Sequence, residues 1–288
     1  MRVARRPEDL DRIERTVAIG TFDGVHRGHR RVIEAATGGR GVATVVTFAP
    51  HPRTILGNRV ELVSTVERRL ELIRELGVSE TLLLEFTPQL AATPPSEFAE
   101  SVLRRIGADV VVAGPGFRFG HRASGDLALL RGLGFDARAV EPVPGISSSE
   151  IRRLVHEGDV VAAAAMLGRP PEVEGTVVLG DQRGGTLGFP TANVAVAPDL
   201  VVARYGIYAG AALGHRAAIS IGTNPHYGGT ERRVEAFLLD FEGDLYGERL
   251  VVELWQRLRD ERAFADEDEL IATIADDVER TRSAIRPA

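Results

Sequence analysis

Apolar residues follow two textures along this chain. Through residue 168, short β-branched runs alternate with stretches in which apolar positions recur every three or four residues. The runs at 16–20, 41–47, 81–86, 109–113 and 140–143 read as buried strands. Val32, Ile33 and Ala36, then residues 66–76 and 95–106, keep helical spacing. Strand alternating with helix predicts a parallel, doubly wound sheet, whose ligand clefts open at the carboxyl ends of its strands. An Ala-rich helix at 159–167 stops at Gly168-Arg169-Pro170-Pro171, and paired prolines after a helix end predict a domain joint. The chain therefore divides into 1–168 and 169–288. Beyond the joint the runs shorten to 175–179, 191–196, 205–212, 217–221, 234–241 and 250–255, separated by glycine turns. That spacing predicts an antiparallel barrel or sandwich. A last helix at 266–282, acidic at its start, offers Leu270, Ile274 and Val278 for packing.

Composition narrows the chemistry. With 288 residues and a hydrophobic share of 44%, the chain can fill two ordinary cores. No apolar run approaches the length of a bilayer span, and residues 1–15 are too charged for the apolar segment of a signal peptide, so a cytoplasmic protein is expected. The absence of cysteine excludes disulfides, thiolate zinc sites and a cysteine nucleophile. A net charge of −6 argues against a general nucleic-acid binder. All 35 basic residues are arginine. Without lysine there is no Walker A loop, no protein-kinase ammonium and no Schiff base. Phosphate chemistry here must rely on Arg, His, backbone N–H groups and a divalent ion.

Residues 16–36 organise the first half. An apolar strand breaks at Gly20, Asp23-Gly24 makes a turn, and His26-Arg27-Gly28-His29 opens a helix. Helix N-termini carry unpaired N–H groups and positive potential, and a protonated or donor imidazole there would add to a phosphate site. Two solvated histidines on one helix face are the plainer alternative. Phe48-Ala49-Pro50-His51-Pro52 reads as an extended, rigid loop at a strand end, with His51 either a ligand contact or only a loop residue. In Gly114–Gly120, Phe117 and Phe119 flank Arg118, a set suited to stacking on a planar ring and holding its phosphate, or simply loop punctuation. Ser147-Ser148-Ser149-Glu150 is a capping box, and with Arg152 one turn later it also suits a departing pyrophosphate. In the second half, the glycine-rich stretch from Gly180 to Gly188 runs into Phe189-Pro190-Thr191-Ala192-Asn193. It offers N–H groups and two uncharged oxygens to a magnesium-bound phosphate. Glu235 stands in an otherwise apolar strand, where alternation reads it as an outward-facing charge.

The string TFDGVHRGH resembles the H-x-G-H signature of nucleotidyltransferases that act at the α-phosphate of ATP or CTP. More narrowly it resembles bacterial bifunctional riboflavin kinase/FAD synthetases, as do TFAPHP and ISSSEIR. LGFPTAN resembles riboflavin kinases, and GIYA, IGTNP, VE, LDF, DLYG and LR follow in the same order. The resemblance spans roughly residues 16–282. It implies a Rossmann-like FMN adenylyltransferase domain followed by a flavokinase barrel. Riboflavin and ATP would give FMN in the second domain, with Glu235 taking the proton and Mg2+ held near Thr191 and Asn193. FMN and a second ATP would give FAD and pyrophosphate in the first. There His26 and His29 would stabilise developing charge, while Ser147, Ser148 and Arg152 hold the leaving group. By family position, Phe22, Asp23, Gly24, His51, Phe117, Arg118, Gly180, Arg183 and Gly188 are the further nucleotide or flavin contacts.

Two positions depart from the pattern. Gly116 stands where the family has Asn or Asp, and Gly184-Gly185 where it has Gly-Arg, with Arg183 two residues away. A paralogue acting on a flavin analogue, or keeping one activity, therefore fits the sequence too. So does a non-catalytic flavin- or nucleotide-binding regulator, against which the retention of His26, His29, Thr191, Asn193 and Glu235 counts.

Overall fold

The computed structural model describes residues 1–180, 188–223 and 232–288 and falls into two compact units: Met1–Val60 with Thr65–Ser147, and Glu61–Ser64 with Ser148–Ala288. The first unit holds a six-stranded parallel sheet in the order β1-β4-β3-β2-β5-β6. Its strands are β1 (Arg2–Ala4), β2 (Arg15–Ile19), β3 (Val42–Ala49), β4 (Glu80–Glu85), β5 (Ala108–Ala113) and β6 (Asp136–Ala139). Every residue of β2 is buried, as a central strand covered on both faces requires. Strand alternation divides its side chains between two cores. Val17 and Ile19 meet Val46, Leu82 and Val111 on one face, together with Phe98, Leu103 and Leu130. Ala18 faces the other way, toward Ile33 of α1 (Arg27–Thr37). Leu72 and Ile73 join that second core; they lie beyond the one-turn α2 (Pro52–Ile55), on α3 (Val66–Glu75). The remaining helices of this unit are α4 (Pro88–Ala92), α5 (Pro95–Phe98) and α6 (Leu127–Gly132).

Three local expectations change. The last strand is Asp136–Ala139 and not residues 140–143. Its ladder ends on the Val140 N–H bonded to the Ala113 carbonyl at 2.9 Å, and Pro142 and Pro144 have no N–H to carry it further. The segment after β3 is not an extended loop, because Pro52 takes the first helical position of α2 behind a His51 cap. The expected helix over 95–106 is α5 continued by a π-helical turn, Ala99–Arg104.

Arg15 anchors this unit from inside. Its side chain is fully buried, and its guanidinium donates to Glu80 Oε2 at 2.9 Å, to the Asp11 carbonyl at 2.6 Å and to the Ile106 carbonyl. Arg15→Ala leaves the Glu80 carboxylate with the weaker pairing to Arg2, 4.0 Å away, and takes the donor from two carbonyls. It should lower the stability of the first unit by about 3–5 kcal/mol, read as a fall in its urea midpoint.

The second unit is a closed antiparallel barrel in the order β10-β11-β8-β7-β12-β9. Its strands are β7 (Glu172–Val178), β8 (Ala192–Val196), β9 (Gly206–Ala212), β10 (His215–Thr223), β11 (Arg232–Leu238) and β12 (Arg249–Arg259). Alternate residues such as Val194, Ile219, Ile221, Val234, Ala236 and Val252 fill its interior. Ile151 and Leu154 of α7 (Ser148–Glu157) and Val160 and Leu167 of α8 (Val160–Leu167) complete that core. Gly168, at φ 75°, ends α8 in the left-handed conformation that glycine supplies cheaply. The last helix, α9 (Glu267–Ser283), is capped by Asp266, which accepts the Glu269 N–H at 2.8 Å. Val278 is buried as expected, whereas Leu270 and Ile274 are only half-buried. The helix is held instead by Asp277, buried against the Arg259 guanidinium at 2.7 Å.

Candidate active sites

In the first unit β3, β4 and β1 lie to one side of β2, and β5 and β6 to the other. The winding therefore reverses between β2 and β5, and a crevice opens beyond their carboxyl ends. A cavity of about 540 Å³ sits there, walled by Gly20, Phe22, His26 and His29 after β2 and by Gly116 and Phe117 after β5. That volume suits a small-molecule ligand.

The β2–α1 turn is strained and buried. Phe22, Gly24 and Val25 have φ of 51°, 78° and 40°, and left-handed backbone at a β-branched residue costs about 1–3 kcal/mol. Burial holds it, since Phe22, Asp23 and Val25 are each only 2% exposed. The turn delivers His26 to the start of α1, where its Nδ1 accepts the His29 N–H at 3.1 Å. An accepting Nδ1 carries no proton, so the proton of His26 sits on Nε2, a donor at the cavity wall. The two imidazoles stack with centroids 3.5 Å apart and 16° between planes. Gly28 permits this, because a Cβ there would stand 3.1 Å from His26 Cε1. His29 Nδ1 is buried without a hydrogen-bond partner among the described residues. Burial above all, then His26 and Arg69, push the His29 imidazole well below its usual range. His29 is therefore neutral near pH 7, and of the two forms expected from the sequence the structure favours the uncharged one.

Across the cavity, Phe117 stacks on Phe119 at 5.5 Å, and Phe119 rests on Phe98 at 5.7 Å. Phe117 thus presents a ring to the cavity, backed by Phe119. Arg118 pairs with Asp126 at 3.1 Å. Nothing lies within 4 Å of a Cβ built at Gly116, so the side chain that the family carries there would find open space. The other sequence-selected residues fall outside the wall. Asp23 and Gly24 shape the turn, and His51 accepts the Arg53 N–H at 3.2 Å as the cap of α2. Ser147 ends the first unit, while Ser148 and Arg152 belong to α7 of the second.

On the barrel, register places Asn193 opposite Glu235 and Glu235 opposite Ser220. Their neighbours Val194, Val234, Ala236, Ile219 and Ile221 are interior, so these three lie together on the outer face. Asn193 is packed over Gly180, where a Cβ would collide with its side chain. Phe237, two residues beyond Glu235 and on its face, meets Phe189 edge-on at 5.5 Å. Gly188, at φ 86°, turns the chain toward Phe189, and Thr191 stands one residue before β8. Arg183, Gly184 and Gly185 lie outside the described residues.

A second carboxylate joins this face. Glu261 lies against Gly222, where a Cβ would run into it. Burial, and to a smaller degree the charge of Glu235, raise its pKa, while Arg259 opposes them. Sequence reading missed Glu261 because Arg259-Asp260-Glu261-Arg262 has the pattern of a solvated charge run. Among the described residues no three His, Cys, Asp or Glu side chains group to hold a metal.

The chain matches two family models, FAD synthetase over residues 9–152 and riboflavin kinase over residues 167–285. It is 35% identical to the bifunctional riboflavin kinase/FMN adenylyltransferase of Listeria monocytogenes, covering 94% of this chain and 92% of that one. It is 33% identical to the Escherichia coli K12 protein of the same name, covering 91% and 90%. Among solved structures, a Streptococcus pneumoniae chain described as a macrolide-efflux protein superimposes with a TM-score of 0.86 at 29% identity, covering 97% of this chain and 98% of that one. No helix among the described residues is long and apolar enough to cross a membrane.

Proposed function

From the premise that the chain belongs to the bifunctional riboflavin kinase/FMN adenylyltransferase family, we propose the following division of labour. The protein is a transferase that phosphorylates riboflavin with ATP and adenylylates the FMN so formed. We assign adenylylation to residues 1–168 and phosphorylation to 169–288. What carries this reading is that each stretch has its own motif-bearing site, the histidine-walled cavity before residue 148 and the Asn193–Glu235 face on the barrel, while residues 148–167 pack with the barrel unit.

In phosphorylation, Glu235 accepts the proton of the flavin's terminal ribityl hydroxyl as that oxygen bonds to the γ-phosphorus and the bond to ADP breaks. The Thr191 hydroxyl and Asn193 amide oxygen are hard, neutral donors. They fit a Mg2+ whose remaining ligands come from nucleotide phosphates and water. When bound, the ion would neutralise phosphate charge; Gly180 leaves room for the Asn193 side chain, and Gly188 sets the approach of Phe189 and Thr191. In adenylylation, an FMN phosphate oxygen bonds to the α-phosphorus of a second ATP and pyrophosphate leaves, so no covalent enzyme intermediate is needed. His26 Nε2–H and the neutral imidazole of His29 bear on the charge that develops. Phe117 offers its ring to a planar group, Arg118 its charge to a phosphate, and Ser147, at the end of the first unit, its hydroxyl to the pyrophosphate. Phe22, Asp23 and Gly24 shape the turn, His51 adds a nucleotide contact there, and Arg183 is assigned to the phosphorylation reaction of residues 169–288. We take the protein to work in the cytoplasm.

Incubation with riboflavin, ATP and Mg2+, followed by chromatography, should show FMN rising first and FAD after it. FMN alone would remove the assignment of residues 1–168 and point to Gly116. No product from either step would return weight to an altered substrate.

A further inference from the structure

Arg69 lies in the first turn of α3 on its buried face, beside Leu72 and Ile73. It is 5% exposed, and arginine is almost never that buried unless paired. Its hydrogen-bond partners are backbone carbonyls: Nη1 donates to Thr21 at 2.7 Å and Nη2 to Phe48 at 2.9 Å. Burial lowers its pKa, and the charges of Asp23 and Glu67 oppose that. Thr21 and Phe48 sit where the sheet lets go. The β2–β3 ladder closes with the Gly20 N–H on the Val46 carbonyl at 3.1 Å. Beyond it one chain turns toward His26 and the other toward Pro52, and both reach the cavity wall. Thr47 Oγ1 also donates to the Thr21 carbonyl, at 3.0 Å. The guanidinium therefore replaces the next rung of the ladder, at the point where the two site-bearing loops separate.

We propose that Arg69 is a positioning residue of the adenylyl-transfer site, bridging the Thr21 and Phe48 carbonyls so that the loops carrying His26 and Pro52 leave the sheet in fixed relation. The inference rests on the adenylyltransferase reading of the first unit. Two parallel donors in a rigid fork suit the task, and a lysine ammonium would span the two carbonyls less well. The same charge bears on His29, whose other titratable neighbour is His26, while Asp23 acts back on Arg69.

The test uses the whole enzyme with FMN, ATP and Mg2+ supplied, in wild type, Arg69→Met and Arg69→Lys. Riboflavin phosphorylation in the same preparations serves as the internal reference. Arg69→Met should lower kcat for FAD formation by about a hundredfold, the usual effect of a small misplacement of reacting groups. Phosphorylation, assigned to the other unit, should stay within about twofold. Arg69→Lys should recover about a tenth of the wild-type kcat, since one ammonium can serve one carbonyl well. Followed by NMR, the His29 titration should move upward in the methionine variant and stay in place in the lysine variant. A purely structural role would lower thermal stability without these two signatures. Wild-type kcat in folded Arg69→Met, or a change confined to KM, overturns the proposal. If Arg69→Met does not fold, Arg69→Lys decides, and a wild-type kcat there overturns it equally. A wild-type enzyme that makes no FAD sinks the adenylyltransferase reading instead.

Discussion

Glu235→Gln is expected to abolish nearly all riboflavin phosphorylation, by about 10²–10⁴-fold, the range for removal of a general base. FAD formation from supplied FMN should continue at the wild-type rate. The substitution keeps the size and outward position of the side chain opposite Asn193, so stability should change by no more than about 0.5 kcal/mol. The rival for the base is Glu261, whose pKa burial raises and which stands close enough to feel the charge of Glu235. A carboxylate whose pKa is raised toward the working pH is the stronger base, so Glu261 competes for the proton on chemistry while Glu235 holds the place opposite Asn193. Steady-state FMN production by Glu235→Gln and Glu261→Gln separates the two. Retained activity in the first with loss in the second would transfer the role to Glu261.

The two textures of the sequence carry most of the fold because buried parallel strands and barrel strands leave different marks. Fully buried β2 reads as an apolar run over residues 17–19 behind Arg15 and Thr16, while β11 alternates Val234, Ala236 and Leu238 inward with Glu235 and Phe237 outward. That alternation already fixes which side of the strand Glu235 faces. What it does not give is the neighbour, since pairing with Asn193 and Ser220 depends on register between strands far apart in sequence. Short or polar elements were the least legible. β1 is three residues with two exposed, and β6 buries only Ala137, so neither has a periodicity to detect.

At the sites, the motif glycines were legible as punctuation but not as contacts. Gly28 makes room for the His26 ring, Gly180 for Asn193 and Gly222 for Glu261. Arg69 was the least readable residue of the first site. In Val66-Glu67-Arg68-Arg69-Leu70 it has the pattern of a solvated helix charge. Only the tertiary structure distinguishes it from Arg68, which pairs with Glu71 at 2.9 Å on the same helix.

His26 carries two roles that mutation can separate, and the pair of variants should do so with large effects. Its Nδ1 caps α1, and its Nε2–H reaches the cavity wall. His26→Ala removes both. It should cost about 0.5–2 kcal/mol in stability through the lost cap, and lower kcat for FAD formation by about 10²–10³-fold, as loss of one charge-stabilising donor does. His26→Asn restores a short acceptor at the cap, where asparagine is among the best residues, yet brings no donor to the place of Nε2. Thermal stability should therefore return while kcat stays low. Thermal unfolding together with FAD production from supplied FMN gives both readings on one sample, with phosphorylation unchanged in either variant. Asparagine restoring kcat along with stability would reduce His26 to a helix cap and leave His29 as the histidine that acts on the phosphate.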